Sequence, residues 1–209
     1  MNKKQLAIIL SQLKENQIPK PELEQYTIPG ELAAQIINIA FLSEDIKNKR
    51  VLDLGCGSGR LVIGVVLMGA KEVIGIDIDK DVLKIANGNV RMAEKLSNQK
   101  IGNKIRFINC NASNWKEKVD TVIQNPPFGI QKLHADRLFL KKALECSDKI
   151  YSLHRSYKKS RDFLNKFVQK NKGKIERIIK FKFRIPYMFK FHEKPFVEYD
   201  VDLLIISKV

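Results

Sequence analysis

The spacing of apolar residues changes along the chain, and the change near Arg50 divides it into two parts. Before Arg50, apolar residues recur at helical spacing over Lys3–Asn16 and over about Glu31–Phe41, with a turn-rich stretch of Pro and Gly between them. After Arg50, short apolar runs typical of strands alternate with helical stretches. The predicted strands read VLDL, EVIGID, KIRFIN, VDTVIQ, KIYSLH, GKIERIIKFKFRI and FVEYDVDLLIIS. The helices predicted between them cover residues 61–68, 79–96, 135–146 and 161–171.

This order of elements predicts an α/β fold. We expect a seven-stranded, mostly parallel, Rossmann-like sheet with an antiparallel last strand and helices on both faces, plus an N-terminal helical extension. The alternation of Ile175, Arg177 and Ile179 against Glu176 and Lys180 predicts that the last two strands form an antiparallel pair. A chain of 209 residues has room for one domain with an appendage.

Positive charge is concentrated in one part of the sequence. The formal net charge is +15, and residues 141–194 hold seventeen basic and five acidic residues. Such asymmetry favours a polyanionic partner, with nucleic acid first and an acidic membrane surface second, although a solvated basic surface also fits. The three cysteines have no paired spacing, which predicts neither a disulfide framework nor a metal site. Without a signal peptide or a membrane-spanning run, we expect a cytoplasmic protein.

A glycine-rich loop follows the first strand. The sequence VLDLGCGSGR places Gly55, Gly57 and Gly59 between a strand and a helix, where small residues let a ligand approach the backbone. The spacing is not the G-x-G-x-x-G of dinucleotide folds, which argues against NAD. Asp77 ends the second strand, where a carboxylate can accept both hydroxyls of a ribose, and Ile78 beside it could face an adenine ring.

Together these features resemble the class I S-adenosylmethionine-dependent methyltransferases. The resemblance implies S-adenosylmethionine as cofactor, with Asp53 near its methionine end. Asn111 follows the third strand, where it either faces the adenine or is a turn residue, and Ala112 would supply backbone contact. The predicted cofactor residues are Gln25, Ile28, Asp53, Gly55, Gly57, Ser58, Gly59, Arg60, Asp77, Ile78, Asn111 and Ala112.

The fourth predicted strand runs directly into the tetrapeptide Asn125, Pro126, Pro127 and Phe128. Ligands bind at this carboxyl edge of open α/β sheets. The Asn125 side-chain oxygen and the Pro126 carbonyl can accept both protons of a planar amine, and Phe128 can stack on its ring. The tetrapeptide resembles the (N/D)PP(Y/F) motif of amino-methyltransferases. These enzymes methylate an amine of adenine, cytosine or guanine, or the amide of a glutamine side chain, so the motif indicates the reaction and not the substrate.

Three further stretches narrow the resemblance. LEQYTIPGELAA, YSLHRS and FKFHEKPFVEYDVDLL, together with DLGCGSG and NPPFG, resemble the small-subunit ribosomal RNA adenine-N6 methyltransferases of the methyltransferase-like protein 5 family. The resemblance implies that residues 1–49 form an extension with a cofactor-covering loop that includes Gln25, and that residues 50–209 form the methyltransferase domain. The family usually has Thr where this chain has Ile28. It also implies a small zinc-containing activator subunit as a possible partner.

The basic C-terminal part then predicts a surface that binds RNA, with a single-stranded or flipped-out nucleotide as the substrate. The predicted RNA-binding residues are Lys158, Lys159, Arg161, Lys182, Arg184, Lys190, His192 and Lys194. Two alternatives stay open: a protein glutamine methyltransferase, whose motif normally ends in Tyr, and a catalytically silent RNA-binding subunit.

Overall fold

The strands and helices of the computed structural model follow the predicted order. It describes residues 1–128, 135–186 and 196–208. The helices are α1 (Lys3–Gln12), α2 (Gly30–Leu42), α3 (Arg60–Leu67), α4 (Lys80–Ser97), α5 (Ala135–Cys146) and α6 (Lys158–Lys170). The strands are β1 (Arg50–Leu54), β2 (Glu72–Asp77), β3 (Ile105–Asn109), β4 (Thr121–Gln124), β5 (Lys149–Arg155), β6 (Gly173–Pro186) and β7 (Phe196–Lys208).

One sheet contains all seven strands in the order β3-β2-β1-β4-β5-β7-β6. The strands β1 to β5 pair in parallel, and β7 pairs antiparallel with both β5 and β6. The predicted fold class, including the antiparallel last strand, is confirmed. The strands β2 and β3 are added on one side of β1, whereas β4 and β5 are added on the other side. The strand order therefore reverses between β1 and β4, and ligands bind at such a point in open α/β sheets.

Two apolar cores lie on opposite faces of the sheet. One holds buried residues of α1 to α4 against Val51, Ile123 and Leu203 of the strands. The other holds buried residues of α5 and α6 against Leu52, Val122 and other side chains of the opposite strand faces. Within the described residues, no helix is both long and apolar enough to cross a membrane.

A bulge in β6 overturns one detail of the sequence analysis. The register with β7 shifts between Ile175 and Arg177, so that Glu176 is the extra residue. Ile175 therefore packs on the core of α5 and α6, whereas Ile179 packs on the core of the other face. The predicted antiparallel pair is confirmed, but Ile175 and Ile179 lie on opposite faces, since one extra residue moves every later side chain to the other face.

The helix α1 ends four residues before the prediction, at Gln12. Leu13 is extended, and the chain beyond it turns toward the start of α3 and the middle of α4, where Leu13 and Lys14 are hydrogen-bonded. Leu6, Leu10 and Leu13 are all buried, as their spacing predicts, but only Leu6 and Leu10 are helical. At Leu13, a hydrogen bond from Arg60 to the backbone carbonyl takes the place of a helical one.

Gly30 allows α1 and α2 to approach closely, and its substitution by Ala is a test of this packing. A Cβ at Gly30 would lie 2.4 Å from the Ser11 backbone nitrogen, so Gly30→Ala should lower the free energy of unfolding by about 2 kcal/mol. Gly88 lies within α4 with no atom within 4 Å of an added Cβ, and Gly88→Ala should raise the same quantity by about 1 kcal/mol. Urea titration of both variants measures the difference; equal stabilities would show that the helix contact adjusts freely.

Candidate active site

The glycine loop between β1 and α3 has three residues in the left-handed region. Gly55, Gly57 and Gly59 have φ of +73°, +53° and +81°, which side chains rarely adopt. At Gly57, no atom lies within 4 Å of an added Cβ, whereas at Gly59 Ala86 and Phe107 lie 3.1 Å away. Gly57 therefore faces open space that a ligand can fill, and Gly59 serves the packing of the loop on its neighbours.

Asp77 joins the end of β2 to this loop. Its Oδ2 accepts a hydrogen bond from the Gly57 N–H at 2.8 Å, and its Oδ1 accepts one from the Asp79 N–H at 2.9 Å. Burial raises the pKa of Asp77 above its ordinary value, although these N–H groups act in the opposite direction. The side chain of Asn109 donates to the carbonyls of Asp77 and Ile78 at 3.0 and 2.9 Å and fixes the turn between them. Ile78 is 54% exposed and lines the cavity beside the loop.

Three side chains that line this cavity, those of Asp53, Ser58 and Asn125, have buried oxygens without a partner in the described part of the chain. Both carboxylate oxygens of Asp53 are buried there without a hydrogen-bond donor. The Oδ1 of Asn125 is likewise buried without one, while its Nδ2 donates to the Tyr26 carbonyl at 3.1 Å. Burial raises the pKa of Asp53 well above its ordinary value, and the charge of Asp77 adds to this effect. Since buried polar groups are normally paired, these oxygens indicate places where a ligand supplies hydrogen-bond donors.

Residues 13–28, called here the covering segment, contribute Asn16 and residues 22–28 to the wall of the cavity. The Arg60 guanidinium is 4% exposed, donates to the carbonyls of Leu13 and Ile28, and pairs with Glu15 at 3.1 Å. Arg60 was predicted to bind cofactor, and although it lines the cavity, its guanidinium is directed to the covering segment.

Gln25 is also held by protein groups. Its Oε1 accepts from the Lys20 N–H at 2.9 Å and from the Asn16 side chain at 3.0 Å, and its Nε2 donates to Asp79 at 2.8 Å. Asp79, 5% exposed, also pairs with the Lys20 ammonium at 2.9 Å. Gln25 therefore shapes the covering segment while it lines the cavity.

Asn89 was not singled out in the sequence, yet it joins the covering segment to the glycine loop. Its side chain is 1% exposed, accepts from the Lys14 N–H, and donates to the carbonyls of Lys14 and Ser58, each at 2.9 Å. A polar residue within the apolar face of α4 is the signal that could have found it, because such a residue needs partners.

The cavity brings together every predicted cofactor residue except Gly59. Cys110 lines it as well, although the sequence analysis did not include it. Asn111 begins a short turn, and its Oδ1 already accepts from the N–H and the hydroxyl of Ser113 at 3.0 and 2.9 Å. The predicted residues on the cavity wall are Gln25, Ile28, Asp53, Gly55, Gly57, Ser58, Arg60, Asp77, Ile78, Asn111 and Ala112.

Comparison with known proteins places this site in a family. The ribosomal protein L11 methyltransferase (PrmA) family model matches residues 35–126. An uncharacterized protein of Methanocaldococcus jannaschii is 42% identical and covers 100% of this chain and 95% of its own length. The rRNA N(6)-adenosine-methyltransferase METTL5 of Danio rerio is 37% identical, with 98% of each chain covered. The chain belongs to the METTL5 family.

A solved structure agrees with this assignment. The crystal structure of a proposed RNA methyltransferase from Pyrococcus horikoshii is 39% identical and superposes with a TM-score of 0.91, covering 100% of this chain and 98% of that one. The similarity extends over both the covering segment and the last strands, whereas the PrmA model covers only the half that carries the cofactor loop and ends at Pro126.

The family tetrapeptide lies at the carboxyl end of β4. Asn125 and Pro127 line the cavity, Pro126 is buried, and Phe128 is half-buried against the core of α1 to α4. The unpaired Asn125 oxygen and the glycine loop therefore face the same space.

The predicted RNA-binding residues fall into separate groups. Lys158 and Lys159 are exposed in the first turn of α6, but Arg161 donates to the buried Asp202 at 2.6 and 3.0 Å. Lys182 lies 3.7 Å from Glu198 and 3.8 Å from Asp200, on the facing strand. The side chain of Arg184 and the residues Lys190, His192 and Lys194 lie outside what the structure describes.

A buried polar chain runs beside the tetrapeptide on the face of α5. The Gln124 amide donates to the Ser152 hydroxyl at 2.9 Å, and Ser152 shares a hydrogen bond of 2.8 Å with His154 Nε2. The other ring nitrogen of His154 lies 3.9 Å from the Asp136 carboxylate in the first turn of α5. Because Gln124 immediately precedes Asn125, this chain fixes the backbone that carries the tetrapeptide.

The pH dependence of stability should report this chain. Burial lowers the pKa of His154 to about 4 from an ordinary 6.5, so the unfolded chain binds a proton that the folded chain excludes. Stability from this group is complete above pH 6.5 and is lost as the pH falls toward 4, by on the order of 3 kcal/mol. His154→Gln keeps a group that can bond to Ser152 but cannot titrate, so its free energy of unfolding should fall less over this range. Parallel slopes for both proteins in urea titrations would place the effect elsewhere.

Cofactor affinity should depend on Asn89, although this residue is not on the cavity wall. Asn89→Ala leaves the backbone groups of Lys14 and Ser58 without partners, and the covering segment then loses its link to the loop. We expect about tenfold weaker S-adenosylmethionine binding by isothermal titration calorimetry. Asn87→Ala is the matched control, because that side chain bonds only to Leu83 within α4. An unchanged dissociation constant in Asn89→Ala would separate the covering segment from cofactor binding.

Proposed function

We propose that this protein transfers the methyl group of S-adenosylmethionine to the N6 amine of an adenosine in small-subunit ribosomal RNA. The single observation that carries the chemistry is the Asn125 side chain, whose buried oxygen has no partner among the described residues and faces the cavity that the glycine loop lines. Family membership over nearly the full chain supports ribosomal RNA as the substrate. Small-subunit specificity is part of the proposal and comes from the resemblance of the sequence motifs.

The residues of the cavity fit this cofactor. Asp77 would hold the ribose hydroxyls, Ile78 would cover one face of the adenine, and Asp53 would take the methionine end. The buried, unpaired carboxylate of Asp53 supports the last assignment, because the methionine ammonium would supply the missing donor and charge. When bound, S-adenosylmethionine supplies an electrophilic methyl group.

The tetrapeptide would prepare the target amine. The lone pair of an adenine amine is delocalised into the ring, which makes the nitrogen a poor nucleophile. The Asn125 oxygen and the Pro126 carbonyl would each accept one amine proton, which favours a pyramidal nitrogen with an available lone pair. Phe128 would stack on the base. The site needs no strong base, since the methylated amine is acidic and releases its proton to solvent.

The N-terminal division is also part of the proposal. Residues 1–49 act as an extension whose covering segment closes the cofactor cavity, and residues 50–209 form the methyltransferase domain. The bonds from Arg60, Asp79 and Asn89 to the covering segment support this role. They make cofactor binding and the folding of the extension dependent on each other.

Two further statements belong to the proposal alone. We place the protein in the cytoplasm, where ribosomal RNA substrates are available to it. A small zinc-containing activator subunit would add to a sheet edge. The edge strands are β3 and β6, and either edge could take the subunit.

The test is methyl transfer from labelled S-adenosylmethionine to separated ribosomal RNAs, followed by nucleoside digestion and mass spectrometry. The wild-type protein should yield N6-methyladenosine at one small-subunit position. Asn125→Ala should reduce the rate by about 100-fold or more, because it removes an acceptor from the reacting amine. Its cofactor affinity by calorimetry should fall far less, and only because the bond to the Tyr26 carbonyl of the covering segment is also lost.

The other outcomes identify the alternatives. Near-normal turnover in Asn125→Ala would contradict the amine geometry. Label on a protein factor rather than on RNA would indicate a glutamine methyltransferase. Tight RNA binding without cofactor binding would indicate a silent RNA-binding subunit.

A further inference from the structure

Three large apolar side chains are exposed near the starts of α5 and α6. They are Leu138 (58%) in the first turn of α5, Tyr157 (55%), which precedes α6, and Phe163 (36%) in the second turn of α6. Leu138 also lines the cofactor cavity. Exposed apolar side chains that cluster in this way indicate a contact surface.

Strand register places Tyr157 at the catalytic edge. Gln124 of β4 lies opposite Ser152 of β5, so Asn125 and its neighbours continue beside the last residues of β5. The chain leaves β5 at Arg155, and Tyr157 follows two residues later at the same edge of the sheet. Adjacent strands lie about 4.8 Å apart, so Tyr157 is one strand away from the tetrapeptide.

Contacts between α5 and α6 complete the surface. The Arg137 guanidinium lies 3.9 Å from the centroid of the Phe163 ring. Asp136, beside Arg137, approaches His154 of β5 at 3.9 Å. The first turns of both helices therefore flank the end of β5, and Arg137 with Phe163 presents a cation and an aromatic ring together.

The charge around Tyr157 differs from that on the β6–β7 pair. In the second half of β6, Lys180, Lys182 and Arg184 lie opposite Asp202, Asp200 and Glu198 in the strand register. Lys158 and Lys159 are exposed, and neither forms an ion pair within the described ranges. Lys158 and Lys159 therefore place positive charge that is available to a polyanion next to Tyr157.

We infer that Tyr157, together with the Arg137–Phe163 pair, is a stacking platform for the nucleotides that flank the target adenosine in single-stranded RNA. This inference rests on the proposed function. An adenosine that enters the cavity leaves its stack, and its neighbours lose one stacked base. Flat side chains at the cavity opening replace that contact for any base, while Lys158 and Lys159 contact phosphates. The platform thus selects unpaired RNA and does not read its sequence.

The test is fluorescence anisotropy with a short, labelled oligouridine that contains one central adenosine. Tyr157→Ala should weaken binding about tenfold, and Tyr157→Phe should bind within about twofold of wild type, because the ring and not the hydroxyl makes the contact. Tyr157→Leu, which keeps apolar bulk without a flat ring, should resemble Tyr157→Ala. Leu42→Ala, at an exposed position that ends α2, should bind like wild type.

The salt dependence separates stacking from charge. Tyr157→Ala should leave the slope of log affinity against log salt unchanged, whereas the double variant Lys158→Ala, Lys159→Ala should reduce it by about 1.4. Wild-type affinity for the oligonucleotide in Tyr157→Ala would overturn the inference. Full recovery of binding in Tyr157→Leu would overturn stacking as the contact.

Methyl transfer to ribosomal RNA distinguishes failure of the stacking platform from failure of the proposed function. If Tyr157→Ala loses affinity for the oligonucleotide but wild type methylates no RNA, the platform stands and the proposed function fails. If Tyr157→Ala binds the oligonucleotide normally and loses transfer only on RNA assembled with ribosomal proteins, the surface contacts a protein, and the inference is overturned.

Discussion

The buried guanidinium of Arg60 is the interaction on which the cofactor cavity depends. A charge with 4% exposure is costly unless it is paired and hydrogen-bonded, and here Glu15 and two backbone carbonyls accept from the two terminal nitrogens. All three partners belong to the covering segment, while Arg60 begins the helix that follows the glycine loop. If the segment moved away from the loop, the Arg60 guanidinium would lose all three of these partners. This constraint makes a stretch without strands, and with only a short 3-10 turn, into a fixed wall of the site.

The same edge of the sheet carries groups that stability alone would not select. Asp53 and Asp77 are both in the cavity, and burial and mutual repulsion raise the pKa of Asp53. Asn125 adds a buried oxygen without a partner in the described residues. A folded chain tolerates such groups only where other contacts exceed their cost, and the two apolar cores on either face of β1 and β4 supply those contacts. Most of the buried side-chain atoms without a partner in the described residues belong to residues that line this one cavity.

The sequence was sufficient to predict the strands, their alternation with helices and the position of the loop and tetrapeptide at the ends of β1 and β4, because these depend on local spacing. Asp77 was found because it follows a strand at a fixed distance from the glycines. Asn89, Asp79 and the partners of Arg60 were not found, since their roles depend on contacts between residues far apart in the chain. The β6 bulge was missed for a similar reason: a single extra residue at Glu176 has no marker in the alternation and is defined only against β7.

The distribution of charge on the surface depends on strand pairing, which a count along the sequence does not include. Residues 141–194 have a strong basic excess, which suggested that the whole C-terminal part faces RNA. The antiparallel register instead places Asp200 and Glu198, which lie just beyond that window, directly opposite Lys182 and Arg184. Cross-strand pairs of opposite charge stabilise the sheet and lower its field, so a count of charges along the chain overestimates the potential on this surface. Where the chain is helical, as at Lys158 and Lys159, no opposing strand neutralises the charge, and the positive potential persists beside the site.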